Sequence, residues 1–170
     1  MSLTLLVGGA RSGKSSLALR RAASASAVVF IATSEAGDAE MAARIEAHRA
    51  ERPTGWTTVE EPVELRGALG SSPASAFVIV DCLSLWVSNL MGRDWGDAAI
   101  EAEAGRVAEA ALGRSADTVV VTNEVGLGVV PATPLGRRYR DVLGRVNAAF
   151  AEVADDALLV VAGRTLRLDR

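Results

Sequence analysis

The sequence predicts an α/β fold, a mostly parallel sheet with helices on both faces, and three observations predict it. Five short apolar runs alternate with longer amphipathic stretches along the 170 residues. The runs are apolar throughout rather than alternating, as strands covered on both faces require. The first run opens directly into a glycine-rich loop with helical spacing behind it.

Taken in order, LTLLV (3–7) is the first predicted strand, GGARSGKS (8–15) the loop, and 14–24 the helix that follows. AVVFIA (27–32) is the second strand, and 37–51 is a helix that holds His48, the only histidine. Met41, Ile45 and His48 recur there at helical spacing, with Glu40–Arg44 as an i,i+4 pair, so spacing alone reads as an ordinary amphipathic helix. GSSPASA (70–76) is a loop too short to separate domains, and FVIVD (77–81) is the third strand. The broad apolar helix at 83–91 faces either the core or another subunit, and a further helix covers 97–113. TVVVT (118–122) is the fourth strand. The cleanest helix is 135–153, where Leu135, Tyr139, Val142, Val146 and Phe150 share one face and Arg137, Arg138, Arg140, Asp141 and Arg145 the other. ALLVVA (157–162) is the fifth strand, and the tail GRTLRLDR adds an edge strand. Strand–helix–strand repetition with right-handed crossovers makes 1–170 one domain.

Composition narrows the function. Hydrophobic residues make up 49% and charged residues 23% of the chain, the balance of a globular protein with a full core. A net charge of −3 and an isoelectric point near 5.3 argue against a broad nucleic-acid surface. Cys82 is the single cysteine, so neither an internal disulfide nor a cysteine zinc site is available. No run resembles a secretory signal or reaches the roughly 20 apolar residues of a membrane span. A cytoplasmic location is expected.

The loop carries the chemistry. GGARSGKS matches G-x-x-x-x-G-K-[ST] in a strand–loop–helix setting. Gly8, Gly9, Ala10, Arg11, Ser12 and Gly13 would wrap backbone N–H groups around phosphates, and the helix that follows offers its unpaired donors to the same anion. Lys14 is expected to reach the β- and γ-phosphates, and the Ser15 hydroxyl to coordinate Mg²⁺. FVIVD ends in Asp81, either a second Mg²⁺ contact or a cap for the next helix. In VTNEVGLGVVP (121–131), Glu124 is either a base or metal-linked acid, or part of a loop that merely positions a helix. The guanine-reading Asn-Lys-x-Asp element, the dinucleotide fingerprint and the protein-kinase motifs are all missing from the sequence.

GGARSGKS, FIATS (30–34), EMAARIEAHRAERP (40–53), VTNEVGLGVVP and GRRYRDVLGRVN (136–147) together resemble the bifunctional adenosylcobinamide kinase/adenosylcobinamide-phosphate guanylyltransferase family over essentially the whole chain. The resemblance implies a RecA-like P-loop fold and a homotrimer. It implies phosphorylation of adenosylcobinamide by ATP or GTP, then transfer of GMP from GTP through a GMP–histidine intermediate with release of pyrophosphate. His48 matches the histidine that carries GMP, with Lys14 beside it in catalysis. Ala32, Thr33, Ser34, Arg49, Ala50, Glu51, Arg52, Glu60 and Asp81 match nucleotide-binding positions, with Ser15 and Asp81 as the metal ligands. Two positions depart from the family pattern: Ala47 precedes His48 where some members carry a histidine pair, and Asp81 stands where others carry Glu. A small-molecule kinase with an idle His48, and a nucleotide-binding regulatory module, are the competing functions.

Overall fold

A computed structural model describes residues 1–37, 39–50 and 52–169, without the side chains of Glu40, Met41 and Arg44. Glu51, a predicted nucleotide contact, therefore lies outside the described residues, as do the predicted Glu40–Arg44 pair and the Met41 end of the apolar stripe. The chain alternates β1 (Leu3–Gly8), α1 (Lys14–Ala22), β2 (Val28–Ala32), α2 (Ala39–Ala50), β3 (Thr57–Glu60), α3 (Leu65–Ser71), β4 (Phe77–Asp81), α4 (Leu83–Gly92), α5 (Asp97–Leu112), β5 (Thr118–Asn123), α6 (Pro134–Val153), β6 (Asp156–Val161) and β7 (Arg164–Arg167). These form one seven-stranded sheet in the order β3-β2-β4-β5-β1-β6-β7. Every pairing is parallel except β6 with β7, which is antiparallel, and β7 is the edge strand expected of the tail.

The apolar runs are buried because both faces of the sheet are covered. Leu3, Leu5 and Val7 of β1 join the cluster formed with α3, α4, α5 and α6, whereas Leu6 joins the cluster on the α1 face. This is the period-two split of a strand with two apolar neighbours. The apolar helix α4 belongs to the chain's own core, with Leu83, Trp86, Val87 and Leu90 fully buried. Helix α6 starts at Pro134 after Thr133, whose hydroxyl oxygen accepts the Gly136 N–H at 3.1 Å. Its first-turn Leu135 departs from the predicted stripe and is 65% exposed. Its arginine face ties it to α5 through Arg138–Asp97 at 2.6 Å and Arg145–Glu101 at 2.5 Å.

Register fixes where a site can form. Across the carboxyl ends of the strands, Ala32 pairs with Glu60 on one side and Asp81 on the other. Asp81 pairs in turn with Val121, and Gly8 pairs with Asn123. The glycine-rich loop, Asp81 and Glu60 therefore share one edge of the sheet, the edge at which open α/β sheets bind ligands. No helix among the described residues is long and apolar enough to cross a membrane.

Candidate active site

A cavity of about 360 Å³ opens at that edge. The loop from Ala10 to Ser15 lines one side, Asp81 the floor, and Ser34, Ile45, His48 and Arg52 the other side. Loop, strand end and histidine helix, distant in sequence, thus converge on one space.

The loop wall is a backbone construction. Gly13 has φ +97°, a conformation that favours glycine, and it directs the chain into α1. A Cβ on Gly8 would lie 2.3 Å from the Val160 carbonyl oxygen, so only glycine fits between β1 and β6. The Gly163 N–H donates to the Ser12 carbonyl at 2.8 Å, and the β6–β7 turn thereby props the loop from behind. Lys14, the only lysine of the chain, is 6% exposed. Its ammonium donates to the Gly9 carbonyl at 2.7 Å and to Ser12 Oγ at 3.4 Å. Burial pushes its pKa below the ordinary value, against the opposing pull of Cys82 and Asp81. Among the described residues Lys14 forms no ion pair, and an entering polyphosphate would supply one.

Asp81 does not cap α4. The residue ahead of that helix is Cys82, with no side-chain cap, whereas Asp81 lines the cavity together with Ser15. Burial pushes the Asp81 carboxyl upward, opposed by the Ser15 hydroxyl and by the positive fields of His48, Lys14 and Arg52. Adjacent hydroxyl and carboxylate oxygens suit a hard divalent cation. Among the described residues no cluster of three or more His, Cys, Asp or Glu could hold a metal. An ion at Ser15 and Asp81 would therefore draw its remaining ligands from phosphate and water, as Mg²⁺ does. Cys82 also lines the cavity, but burial lifts its thiol to about 11.

The α2 wall is built from side chains. His48 is exposed toward the cavity and Ile45 is half-buried beside it. Arg52 stacks on the buried Phe30 ring at 3.9 Å and donates to Thr58 Oγ1 at 3.3 Å. Burial lowers its pKa, Asp81 opposes that shift, and its Nε has no partner among the described residues. Arg49 turns away from the cavity and forms ion pairs with Glu60 and, at 3.3 Å, with Glu46.

Other predicted contacts sit around the cavity rather than in its wall. Ala32 is buried in β2. The Thr33 hydroxyl donates to the Cys82 carbonyl at 2.7 Å and accepts the Cys82 N–H at 2.9 Å, which locks β2 to β4. Ala50 and Gly9 are exposed, and Glu60 is occupied by Arg49. The Glu124 carboxylate accepts the Gly126 N–H of its own loop and is not among the cavity-lining groups. Sequence reasoning did not find Phe30, Leu85 and Asn123 in the cavity wall, nor Gly163 behind the loop. A glycine between an apolar run and alternating residues was the available sign of the supporting hairpin.

Known proteins resemble the chain over almost its whole length. The family model described as cobinamide kinase / cobinamide phosphate guanyltransferase matches residues 4–168. The chain is 45% identical over 166 residues to the bifunctional adenosylcobalamin biosynthesis protein CobP of Pseudomonas aeruginosa, covering 96% of this chain and 95% of that one. It is 40% identical over 174 residues to the bifunctional adenosylcobalamin biosynthesis protein CobU of Escherichia coli, covering 95% and 96%. Among solved structures, an ATPase of a bacterial type III secretion system aligns with a TM-score of 0.59 at 12% identity. The P4 protein of bacteriophage phi6, in complex with ADP, aligns at 0.51 and 16%. The chain spans 56% and 52% of those two proteins, and the likeness shows a shared RecA-like P-loop fold.

Proposed function

The chain belongs to the cobinamide kinase / cobinamide phosphate guanyltransferase family, and from that premise we propose how one cavity performs both reactions. The protein phosphorylates adenosylcobinamide, then converts the product to adenosylcobinamide-GDP with GTP as GMP donor. The carrying observation is that the P-loop, Asp81 and His48 all line a single cavity of about 360 Å³.

In the kinase step the loop N–H groups and Lys14 hold the β- and γ-phosphates of ATP or GTP. Lys14 exchanges its Gly9 and Ser12 acceptors for phosphate oxygens. Ser15 and Asp81 would hold Mg²⁺, which supplies charge neutralisation on the phosphates when bound. In the guanylyl step a ring nitrogen of His48 attacks the α-phosphorus of GTP. The N–P bond forms, the bond from the α-phosphorus to the bridging oxygen breaks, and pyrophosphate leaves in the P-loop. A phosphate oxygen of adenosylcobinamide-phosphate then displaces the imidazole, and GMP passes to the corrinoid. A neutral imidazole suits both halves as nucleophile and leaving group. Arg52, held over Phe30, stands ready for charge developing at the α-phosphate.

Arg49, Ala50, Glu51 and Glu60 belong to the same reading as contacts made once the nucleotide is bound, as do Ala32, Thr33 and Ser34. A homotrimer in the cytoplasm completes it. Leu127, Val129 and Val130, exposed by 83%, 95% and 60%, offer an apolar surface for a second copy.

GTP labelled at the α-phosphate tests the proposal. The expected product is an acid-labile, alkali-stable adduct on the protein, absent from His48→Ala, which still phosphorylates adenosylcobinamide. An adduct that survives His48→Ala would overturn the role of His48. Phosphorylation with no adduct in the unaltered protein would leave a kinase with an idle histidine.

A further inference from the structure

Asn123 ends β5, the strand that lies between β1 and β4 and hence between the P-loop and Asp81. It pairs in register with Gly8, and the neighbouring Glu124 N–H donates to the Gly8 carbonyl at 3.0 Å. Strand end and phosphate loop are thereby coupled. Asn123 lines the same cavity as Lys14, Ser15 and Asp81.

That side chain is held from behind. Asn123 Nδ2 donates to Ser84 Oγ at 2.9 Å, and Ser84 is itself buried at 2% exposure with its Oγ 2.9 Å from Cys82 Sγ. The Asn123 carbonyl accepts Asn147 Nδ2 at 3.1 Å, and Asn147 Oδ1 accepts the Thr122 hydroxyl at 2.7 Å. Thr122 and Asn147 are buried, so backbone and side chain are both anchored in low-dielectric surroundings. A carboxamide carries two N–H donors. One goes to Ser84, and among the described residues the second has no partner. A fixed, neutral donor at this place binds an anion without competing for a metal ion or a proton.

We propose that Asn123 donates its free amide N–H to the terminal phosphate of the bound nucleoside triphosphate and so distinguishes triphosphate from diphosphate. The inference rests on the reading of the cavity as the nucleotide site. In the kinase step the contacted phosphate is the group transferred, and the hydrogen bond follows its changing charge. In the guanylyl step the same phosphate departs unbroken within pyrophosphate, so the contact acts there through binding alone.

The test is equilibrium binding of GDP and of a non-hydrolysable GTP analogue to the unaltered protein, Asn123→Ala and Asn123→Asp. The Asp variant is isosteric and reverses the bond to Ser84, accepting a hydrogen from its hydroxyl where the amide donates one, and thermal unfolding checks that the fold is kept. Affinity for the triphosphate analogue is expected to fall about 10-fold in Asn123→Ala and about 100-fold in Asn123→Asp. Affinity for GDP should stay within about twofold. Equal losses for both nucleotides, or no loss for either, would overturn the proposal. In turnover, phosphorylation of adenosylcobinamide should fall at least about tenfold further than labelling of His48, and parallel falls would also overturn it. Binding requires no guanylylation. A chain that never forms the histidine adduct therefore overturns the role of His48, while the contrast between triphosphate and diphosphate still decides that of Asn123.

Discussion

The two walls of the cavity differ in what holds them. The P-loop wall is backbone: Gly8 fits against the Val160 carbonyl, Gly13 adopts φ +97°, and Gly163 supports Ser12. The α2 wall is exposed side chain: Arg49 pairs with Glu46 and Glu60, Arg52 rests on Phe30, and His48 is exposed at the cavity. Phosphate binding needs a fixed array of donors, which backbone register supplies at no side-chain entropy cost. A nucleophile that attacks one substrate and is later attacked by another needs room, which an exposed helix provides. Rigidity and access are thus assigned to opposite sides of one space.

His48→Ala gives the sharpest contrast between the walls. Guanylylation is expected to drop by about 10⁴-fold or more, with stability unchanged within about 0.5 kcal/mol because the side chain is exposed. Adduct formation and thermal unfolding, measured together, check both. A large loss of stability would mean that α2 is held as firmly as the loop. Gly8→Ala acts on the other wall and is expected to do the reverse. Its Cβ meets a backbone oxygen that cannot swing aside, so destabilisation of about 3 kcal/mol follows. Both half-reactions should fall together while the melting temperature drops by about 6 to 12 °C. Unchanged melting would show the loop to be more compliant than its contacts imply.

A smaller effect sharpens the description of α2. In a double-mutant cycle with Arg49→Ala and Glu60→Gln, the coupling should be below about 1 kcal/mol and should weaken with salt, as for exposed ion pairs. Coupling above about 2 kcal/mol would erase the distinction between the walls. The smallest effect concerns the segment that follows β2, which Glu35 fastens to α4 through Arg93 at 2.6 Å. The Arg93 hydrogen bond holds the Glu35 carboxyl below its ordinary 4.5. A carboxylate depressed in the folded state contributes stability above its unfolded pKa and loses it as pH falls through the folded one. The contribution is therefore present at neutral pH and disappears only below the ordinary carboxylate range. NMR titration should find Glu35 depressed in the unaltered protein and at its ordinary value in Arg93→Ala.

The same contrast explains what the sequence revealed. The loop wall was legible because its physics is local: an apolar strand, glycines at fixed spacing, then Lys14 and Ser15. The five buried strands were legible because two-sided burial demands uninterrupted apolar runs. β3 was not, since TTVE is an exposed edge strand with no such run, nor was α3, seven residues long with Gly67 inside it. Their absence hid where Glu60 would fall. Asp81 read as a metal contact with a helix cap as the lesser alternative, and the structure separates the two: Cys82 precedes α4, while Asp81 lines the cavity with Ser15. His48 was found through resemblance, because exposed helical spacing carries no mark of a nucleophile. Asn123 escaped because its anchors, Ser84 and Asn147, are 39 and 24 residues away.

The central claim is that one phosphate cradle serves both reactions, and Lys14→Ala tests it most directly. Phosphorylation of adenosylcobinamide and transfer of α-labelled GMP to His48 are measured on the same preparation. The account predicts that both fall by about 100-fold or more. Guanylylation at the unaltered rate in a variant that no longer phosphorylates would contradict it.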